Sequence, residues 1–378
     1  MTFSRRQFFK TSTGAALAIP LMASLDIDPC EAATGVNYDL SMANPEGAIR
    51  LNFNENALGP SPLAVEGAKA GLAEGARYAL GGLLKPLIGE HLGIDKDWIL
   101  MGTGSTELQR LAPISHLQGG GNVVSGYETW GGGLVVADNM GADVKRIPLI
   151  KDNGYSFDID RMLAAVDADT KIFLIVSPNN PTGATAPYAQ LKRVADSLPK
   201  DVLFVIDEAY ADYLPDSFKT GLDLIKEGYS NVLVTRTFSK AHAMAGLRSG
   251  YGVAHPDILA KIAKFGCGPA STSIVVFGAV QGALADMEHA RKSRAHVEEC
   301  RAYYQGEAKK LGITSVSGVP PFILFEMGER SEALVSELRA RKILISNGKS
   351  WNMPNYIRIS YGLESENEAF FKAFREII

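Results

Sequence analysis

The chain has 378 residues, 46% of them hydrophobic, enough to bury a large core as two domains or one large one. Its formal net charge is only −4, and no basic, aromatic-interleaved stretch marks a nucleic-acid surface. No apolar run approaches the roughly 20 residues that a membrane-spanning helix requires. The six histidines include no pair at metal-ligand spacing and the three cysteines form no Cys-x-x-Cys, which argues against a zinc site.

At the start of the chain, Ser4-Arg5-Arg6-Gln7-Phe8-Phe9-Lys10 resembles a twin-arginine export motif. From Thr11 to Leu25 there is no charged residue, and Gly14 and Pro20 interrupt an apolar stretch too short to span a bilayer. Residues 1–33 are therefore expected to be a removable leader cut near Ala32 or Ala33, leaving a mature chain in the periplasm. Only Cys267 and Cys300 would remain in it, and their pairing is left open.

Residues 34–60 show few periodic apolar positions and end in LNFNENALGPSP, where Asn, Gly and Pro predict an extended arm or a plain surface loop. A helix begins near Pro62. Arg77-Tyr78 precede a second helix running to about Leu92, in which Leu83, Leu84, Leu87 and Ile88 are expected to be buried. WILMGTGSTELQRL then gives a strand, a Gly-rich turn and a helix start. There the amides of Gly104, Ser105 and Thr106 suit a phosphate at the positive end of the helix dipole. The dinucleotide fingerprint is not met, because only Gly102-x-Gly104 is present and the third glycine is missing.

In NVVSGYETWGGG, Trp130 is either a core residue or a ring approached closely by the glycines that follow it. From Val144 onward strand and helix patterns alternate through VKRIPLI, RMLAAV, KIFLIV, LKRVADSL, VLFVI, LDLIKEG and NVLVT, which predicts a largely parallel sheet covered by helices. Two of these strands, KIFLIVSPNNPTG and DVLFVIDEAY, bring Asn180 and Asp207 to carboxyl ends of the sheet, where open α/β folds bind ligands. Asp207 could equally be a helix N-cap. TRTFSKAHAMAGLRSGYG gathers Thr237, Ser239, Lys240 and Arg248, an amine and anion donors able to hold a carbonyl compound and its phosphate. His242, with no acid beside it in sequence, reads as structural. Beyond Tyr251, helices are expected at Ile258 to Phe265 and Ile274 to Ala285. A long amphipathic segment from His289 to Leu311 then leads to a smaller domain built from FILFEM, EALVSELRA, ILIS, YIRIS and a last helix.

With SPNNPTG, DEAY, TFSKAHAMAGLR and a late YIRIS in this order, the chain from about Leu51 onward resembles the fold type I pyridoxal phosphate aminotransferases. The similarity is to their class I/II branch, typified by histidinol-phosphate aminotransferase. The resemblance implies an α/β fold with a large domain at 61–265, carrying a mostly parallel seven-stranded sheet covered by helices. A smaller α+β C-terminal domain would follow at 266–378. It implies pyridoxal 5'-phosphate as cofactor, with Lys240 as the amine that takes up its aldehyde and later serves as general base.

By the same resemblance Asp207 faces the pyridine nitrogen, Asn180 and Tyr210 meet the ring hydroxyl oxygen, and Trp130 stacks on the ring. Thr237, Ser239, Arg248 and the amides of Gly104, Ser105 and Thr106 surround the phosphate, and Tyr78 reaches the phosphate of the other subunit of a homodimer. Arg358, with Asn54 on the arm, takes the substrate carboxylate. Where the family carries a second arginine for a substrate phosphate, this chain has Ser346, a loss that should cost such a substrate a few kcal/mol. The expected reaction is transamination between a free amino acid and a 2-oxo acid. Two alternatives stay open: a decarboxylase or lyase on the same fold, and a noncatalytic periplasmic binding protein.

Overall fold

Near-continuous apolar runs need cover on both faces, and that requirement builds the centre of this protein. In the computed structural model, which describes residues 47–79 and 81–378, a short β1 (Ile49–Arg50) precedes a seven-stranded sheet. Its strands are β2 (Ile99–Gly102), β3 (Asn122–Gly126), β4 (Asp143–Ile147), β5 (Thr170–Val176), β6 (Leu203–Asp207), β7 (Val232–Thr237) and β8 (Gly250–Ala254). The order is β2-β8-β7-β6-β5-β3-β4, and β8 alone runs against the rest. Successive side chains go to opposite faces. Phe173, Ile175, Phe204, Ile206 and Val234 therefore enter one core, and Ile172, Leu174, Leu203, Val205 and Leu233 enter another. The leader expected at residues 1–33 lies outside the described residues.

A second, antiparallel sheet has the order β12-β13-β10-β9, from β9 (Ser315–Ser317), β10 (Phe322–Glu326), β12 (Ser346–Asn347) and β13 (Tyr356–Ser360). Its core is aromatic, with Tyr304, Phe325, Phe370, Phe371 and Phe374 fully buried. β1 pairs in parallel with β11 (Ile343–Leu344), and the amide of Ser360 donates to the carbonyl of Leu51 at 2.8 Å. These bonds fasten the arm to the second sheet and carry the next residues, Asn52 to Asn54, across the space between the two sheets.

Two expectations are refined. Leu83 is exposed, because it ends a single 3₁₀ turn and the helix proper is Leu84–Leu92. The helix Ile274–Ala285 packs on Pro62–Ala73 so closely that a Cβ at Gly67 would strike the carbonyl of Gly278. Its Val276, Ala279, Val280 and Ala283 belong to the core of the larger sheet, so that core extends past residue 266 and the long helix Met287–Lys310 makes the passage. Among the described residues, no helix is long and apolar enough to cross a membrane.

Candidate active site

The carboxyl ends of β5, β6 and β7 open into a cavity of about 680 Å³, lined on its other side by residues of the second sheet and by Asn52, Phe53 and Asn54 of the arm. Position in the fold alone makes this the place for a ligand. Strand register aligns the floor: Val176 stands opposite Asp207, and Asp207 opposite Thr235.

Lys240 follows β7 and its Nζ donates to the carbonyls of Phe53 at 3.0 Å and Asn54 at 3.1 Å. Burial, and then the positive charges of Arg358 and Arg248, pull the amine down to about 8, with Glu55 opposing. An amine near 8 has a usable neutral fraction at physiological pH. Asp207 is buried, and burial pushes its carboxyl up to about 6 against hydrogen bonding from Gln109, the Ala209 amide and Thr235. The Ala209 amide donates to Asp207 Oδ1 at 3.1 Å, and Gln109 Nε2 donates to Thr235 Oγ1 at 3.1 Å. Desolvation stops short of neutralising Asp207 at pH 7, so the floor carries a negative charge.

Arg358 crosses from β13 toward β5. Its Nη1 donates to Asn180 Oδ1 at 2.6 Å and its Nη2 to the Asn52 carbonyl at 2.7 Å, while its guanidinium lies 4.2 Å from the Trp351 ring centre. Burial lowers its pKa to about 10, and its Nε is buried with no hydrogen-bond partner. An unpaired buried N–H is costly. Beside it, Asn54 Nδ2 donates to Tyr210 Oη at 2.8 Å, and burial pushes that phenol up to about 12. Asn54 holds φ +54°, fixed by its own amide and by its Oδ1, both bonded to Ser360 Oγ.

A separate corner is built for an anion. Arg248, at φ +57°, donates from Nη1 to the Ala245 carbonyl at 2.8 Å and lies 3.4 Å from Ser239 Oγ; Thr237 Oγ1 is 2.9 Å from that same hydroxyl. The twelve-residue helix Ser105–His116 points its first turn into this corner, with Ser105 and Thr106 in the cavity wall. Gly104, at φ +80°, backs the arginine: a Cβ there would lie 2.6 Å from Arg248 Nη2. Trp130 lines the cavity, and a Cβ at Gly132 would collide with its indole. The preceding Thr129 is tied to Asn179 Oδ1 at 2.6 Å.

All the site residues predicted from sequence share this cavity except two. Gly104 lies behind Arg248, and Tyr78 is 85% exposed and outside the cavity, where only another molecule could use it. His242 gains an acid that sequence did not suggest, since Asp212 Oδ2 is 3.6 Å from its Nε2. It packs against Phe238 outside the cavity. Sequence reading missed Gln109, Asn52, Trp351 and Arg339. Gln109 alone had a local signal, being four residues after Ser105 on the same helix face.

Residues 49–374 match the family described as Aminotransferase class I and II. The chain belongs to that family. It is a pyridoxal phosphate-dependent aminotransferase, similar to enzymes named histidinol-phosphate aminotransferase. That of Symbiobacterium thermophilum is 33% identical over 86% of this chain and 90% of its own length. Histidinol-phosphate aminotransferase 2 of Pseudomonas fluorescens Pf-5 is 31% identical over 89% of this chain and 90% of its own. The crystal structure of the Sinorhizobium meliloti histidinol-phosphate aminotransferase in complex with pyridoxal-5'-phosphate superposes with a TM-score of 0.81. It is 24% identical and covers 95% of this chain and 98% of the other, a likeness of fold.

The residues of this aminotransferase fit the cofactor on their own chemistry. The corner of Arg248, Ser239, Thr237 and the Ser105 helix start suits a phosphate dianion. Asp207 offers a buried carboxylate, and Lys240 a depressed amine.

Proposed function

We propose that this aminotransferase moves the amino group of an amino acid bearing a free α-carboxylate to a 2-oxo acid, as a homodimer exported to the periplasm. The observation that carries the reading is the Arg358 guanidinium, held by Asn180 and the Asn52 carbonyl in the wall of the cavity that also holds the Lys240 amine. A planar guanidinium already anchored through both Nη atoms presents a fixed edge to a carboxylate, and the neutral amine serves the proton on the adjacent carbon.

When bound, pyridoxal phosphate supplies the aldehyde that accepts the amino group and a ring that withdraws the electron pair left at Cα. Arg248, Ser239, Thr237 and the amides of Ser105 and Thr106 would hold its phosphate, and Trp130 would cover the ring. The Asp207 carboxylate, ionised above about 6, would keep the pyridine nitrogen protonated. Asn180 gives its Oδ1 to Arg358, which leaves Nδ2 to donate to the ring oxygen together with the Tyr210 hydroxyl. The Lys240 amine would take the Cα proton and hand it to the cofactor's aldehyde carbon, on the far side of the nitrogen. The arm carbonyls of Phe53 and Asn54 hold that amine in place.

Two features support an α-carboxylate over an amino alcohol phosphate. Arg358 is prepared for a carboxylate, and the position beside it in the β12–β13 register is Ser346, whose hydroxyl is already donated to the Asn52 carbonyl at 2.9 Å. Export is supported by the arginine pair in SRRQFFK. Dimerisation is supported by exposed Tyr78 and Leu72, which is 69% exposed, and by an apolar groove of Ala64, Ala68, Leu72, Leu247 and Val275.

The deciding experiment follows the absorbance of the loaded protein during addition of single amino acids, then of single 2-oxo acids. Transamination converts the spectrum with the first and restores it with the second. Release of carbon dioxide or ammonia without an acceptor would overturn it in favour of a lyase.

A further inference from the structure

Four basic side chains line the cavity, Lys240, Arg248, Arg339 and Arg358, against one acid, Asp207. On the reading above, Arg248 is matched by the cofactor phosphate, Arg358 by the α-carboxylate and Asp207 by the ring nitrogen, while Lys240 works as a neutral amine. One guanidinium is left without a partner. It belongs to Arg339, in the last turn of the helix Ser331–Ala340.

The neighbours of Arg339 are engaged elsewhere. Arg341 pairs with Glu376, Lys349 with Glu332, and Arg330 donates to the Ile377 carbonyl. Arg339 forms no side-chain hydrogen bond or ion pair among the described residues. Val335 lies one turn earlier, four residues back, and also lines the cavity, as does Ile345. This side of the cavity therefore offers apolar walls for a methylene chain, a free guanidinium, and the polar side chains of Asn347 and Ser350.

We propose that Arg339 is a specificity-determining residue that binds an anionic group at the end of the substrate side chain. The inference rests on the reading that Arg248 and Arg358 are occupied by phosphate and α-carboxylate. A side-chain carboxylate and a phosphate ester share the chemistry, since a guanidinium fork binds either through paired N–H donors. Ser346, opposite Arg358 in the β12–β13 register, carries no charge, so on this side of the cavity the cation comes from the helix Ser331–Ala340, and the side chain it admits is set by where that helix stands.

The test titrates the pyridoxal phosphate-loaded protein calorimetrically, at fixed ionic strength, with three unreactive ligands: pentanoate, glutarate and 4-phosphonobutanoate. Glutarate, 4-phosphonobutanoate or both should bind at least tenfold more tightly than pentanoate, and the tighter of the two names the anion. Arg339→Gln should bring that ratio close to one, and Arg339→Lys should leave an intermediate value. Equal binding of all three ligands by the native protein, or a preference that survives Arg339→Gln, overturns the proposal. The amino acid titration is read separately. A dianion preference without spectral conversion leaves Arg339 standing and removes transamination, and conversion without the preference does the reverse.

Discussion

Arg358 Nη1 donates to Asn180 Oδ1 over 2.6 Å, and this one bond joins the small antiparallel sheet to the carboxyl end of β5. The same guanidinium holds the arm through the Asn52 carbonyl and stacks on Trp351, so three separate pieces of chain are referenced to a single planar group. Planarity is what makes this work. Two donors are spent on fixing orientation, so the direction of the remaining N–H groups can no longer change.

Arg358→Lys keeps a charge but loses the fork and the stacking face. A charge-assisted hydrogen bond contributes about 1.5–3 kcal/mol, which corresponds to a 10- to 100-fold rise in KM for the amino donor. Steady-state kinetics should show that rise while the bound cofactor keeps its native absorbance. An unchanged KM would remove Arg358 from carboxylate binding.

Lys240 must be neutral to attack an aldehyde, and its pKa lies near 8, below the ordinary 10.5, chiefly because it is buried. The rate at which the protein captures added pyridoxal phosphate covalently should therefore rise with pH through about 8 and level off above it. An ordinary exposed lysine would still be accelerating at pH 10. Stopped-flow absorbance measures the profile, and Lys240→Ala should show no covalent capture at any pH.

Asp207 carries the opposite linkage. Its folded pKa of about 6 lies above the ordinary 3.8, so the folded chain holds the proton more tightly than the unfolded one between those values. Stability from this group is present below about 4 and is lost as pH rises through 6. Above that the burial penalty is on the order of 3 kcal/mol, from a shift of about two units. Asp207→Asn, measured without cofactor, should raise the unfolding midpoint at pH 8 and change it little at pH 4. It should also lower kcat at least 100-fold, because an amide cannot keep the pyridine nitrogen charged. A lower midpoint at pH 8 would contradict the burial account.

Much of this site could be read from sequence because parallel strands buried on both faces are written as unbroken apolar runs. The polar residue that ends such a run, Asn180 after β5 or Asp207 at the end of β6, is placed at the sheet's carboxyl edge by the run itself. The Lys240 turn and the Ser105 helix start were legible for the same reason. The facing wall was not. Trp351 and Arg339 sit on a 3₁₀ turn and a helix whose local sequences look like ordinary surface, and only the packing of the second sheet turns them toward the cavity. The buried Glu208–Arg236 pair was hidden too. It follows from register, since Asp207 opposite Thr235 sets Glu208, just past β6, beside Arg236 of β7, with Arg236 Nε 2.9 Å from Glu208 Oε2.

Gly104 offers the sharpest test of the phosphate corner because it leaves the space that Arg248 fills. An alanine there meets two obstacles: a backbone at φ +80° and ψ 163°, a region essentially kept for glycine that costs a side-chain-bearing residue on the order of 1–3 kcal/mol, and a Cβ 2.6 Å from Arg248 Nη2. The arginine is the tip of a flexible side chain, so the fold can yield by moving it, and the guanidinium then leaves the position set by the Ala245 carbonyl and Ser239. Gly104→Ala should therefore raise the Kd for pyridoxal phosphate 10- to 100-fold, measured by equilibrium dialysis, together with a drop in unfolding midpoint from the strained backbone. In an Arg248→Ala background the same glycine change should weaken binding by no more than a few-fold, since nothing is left to displace. Equal losses in both backgrounds would assign the effect to the backbone turn, and the arginine would no longer be the group that Gly104 makes room for.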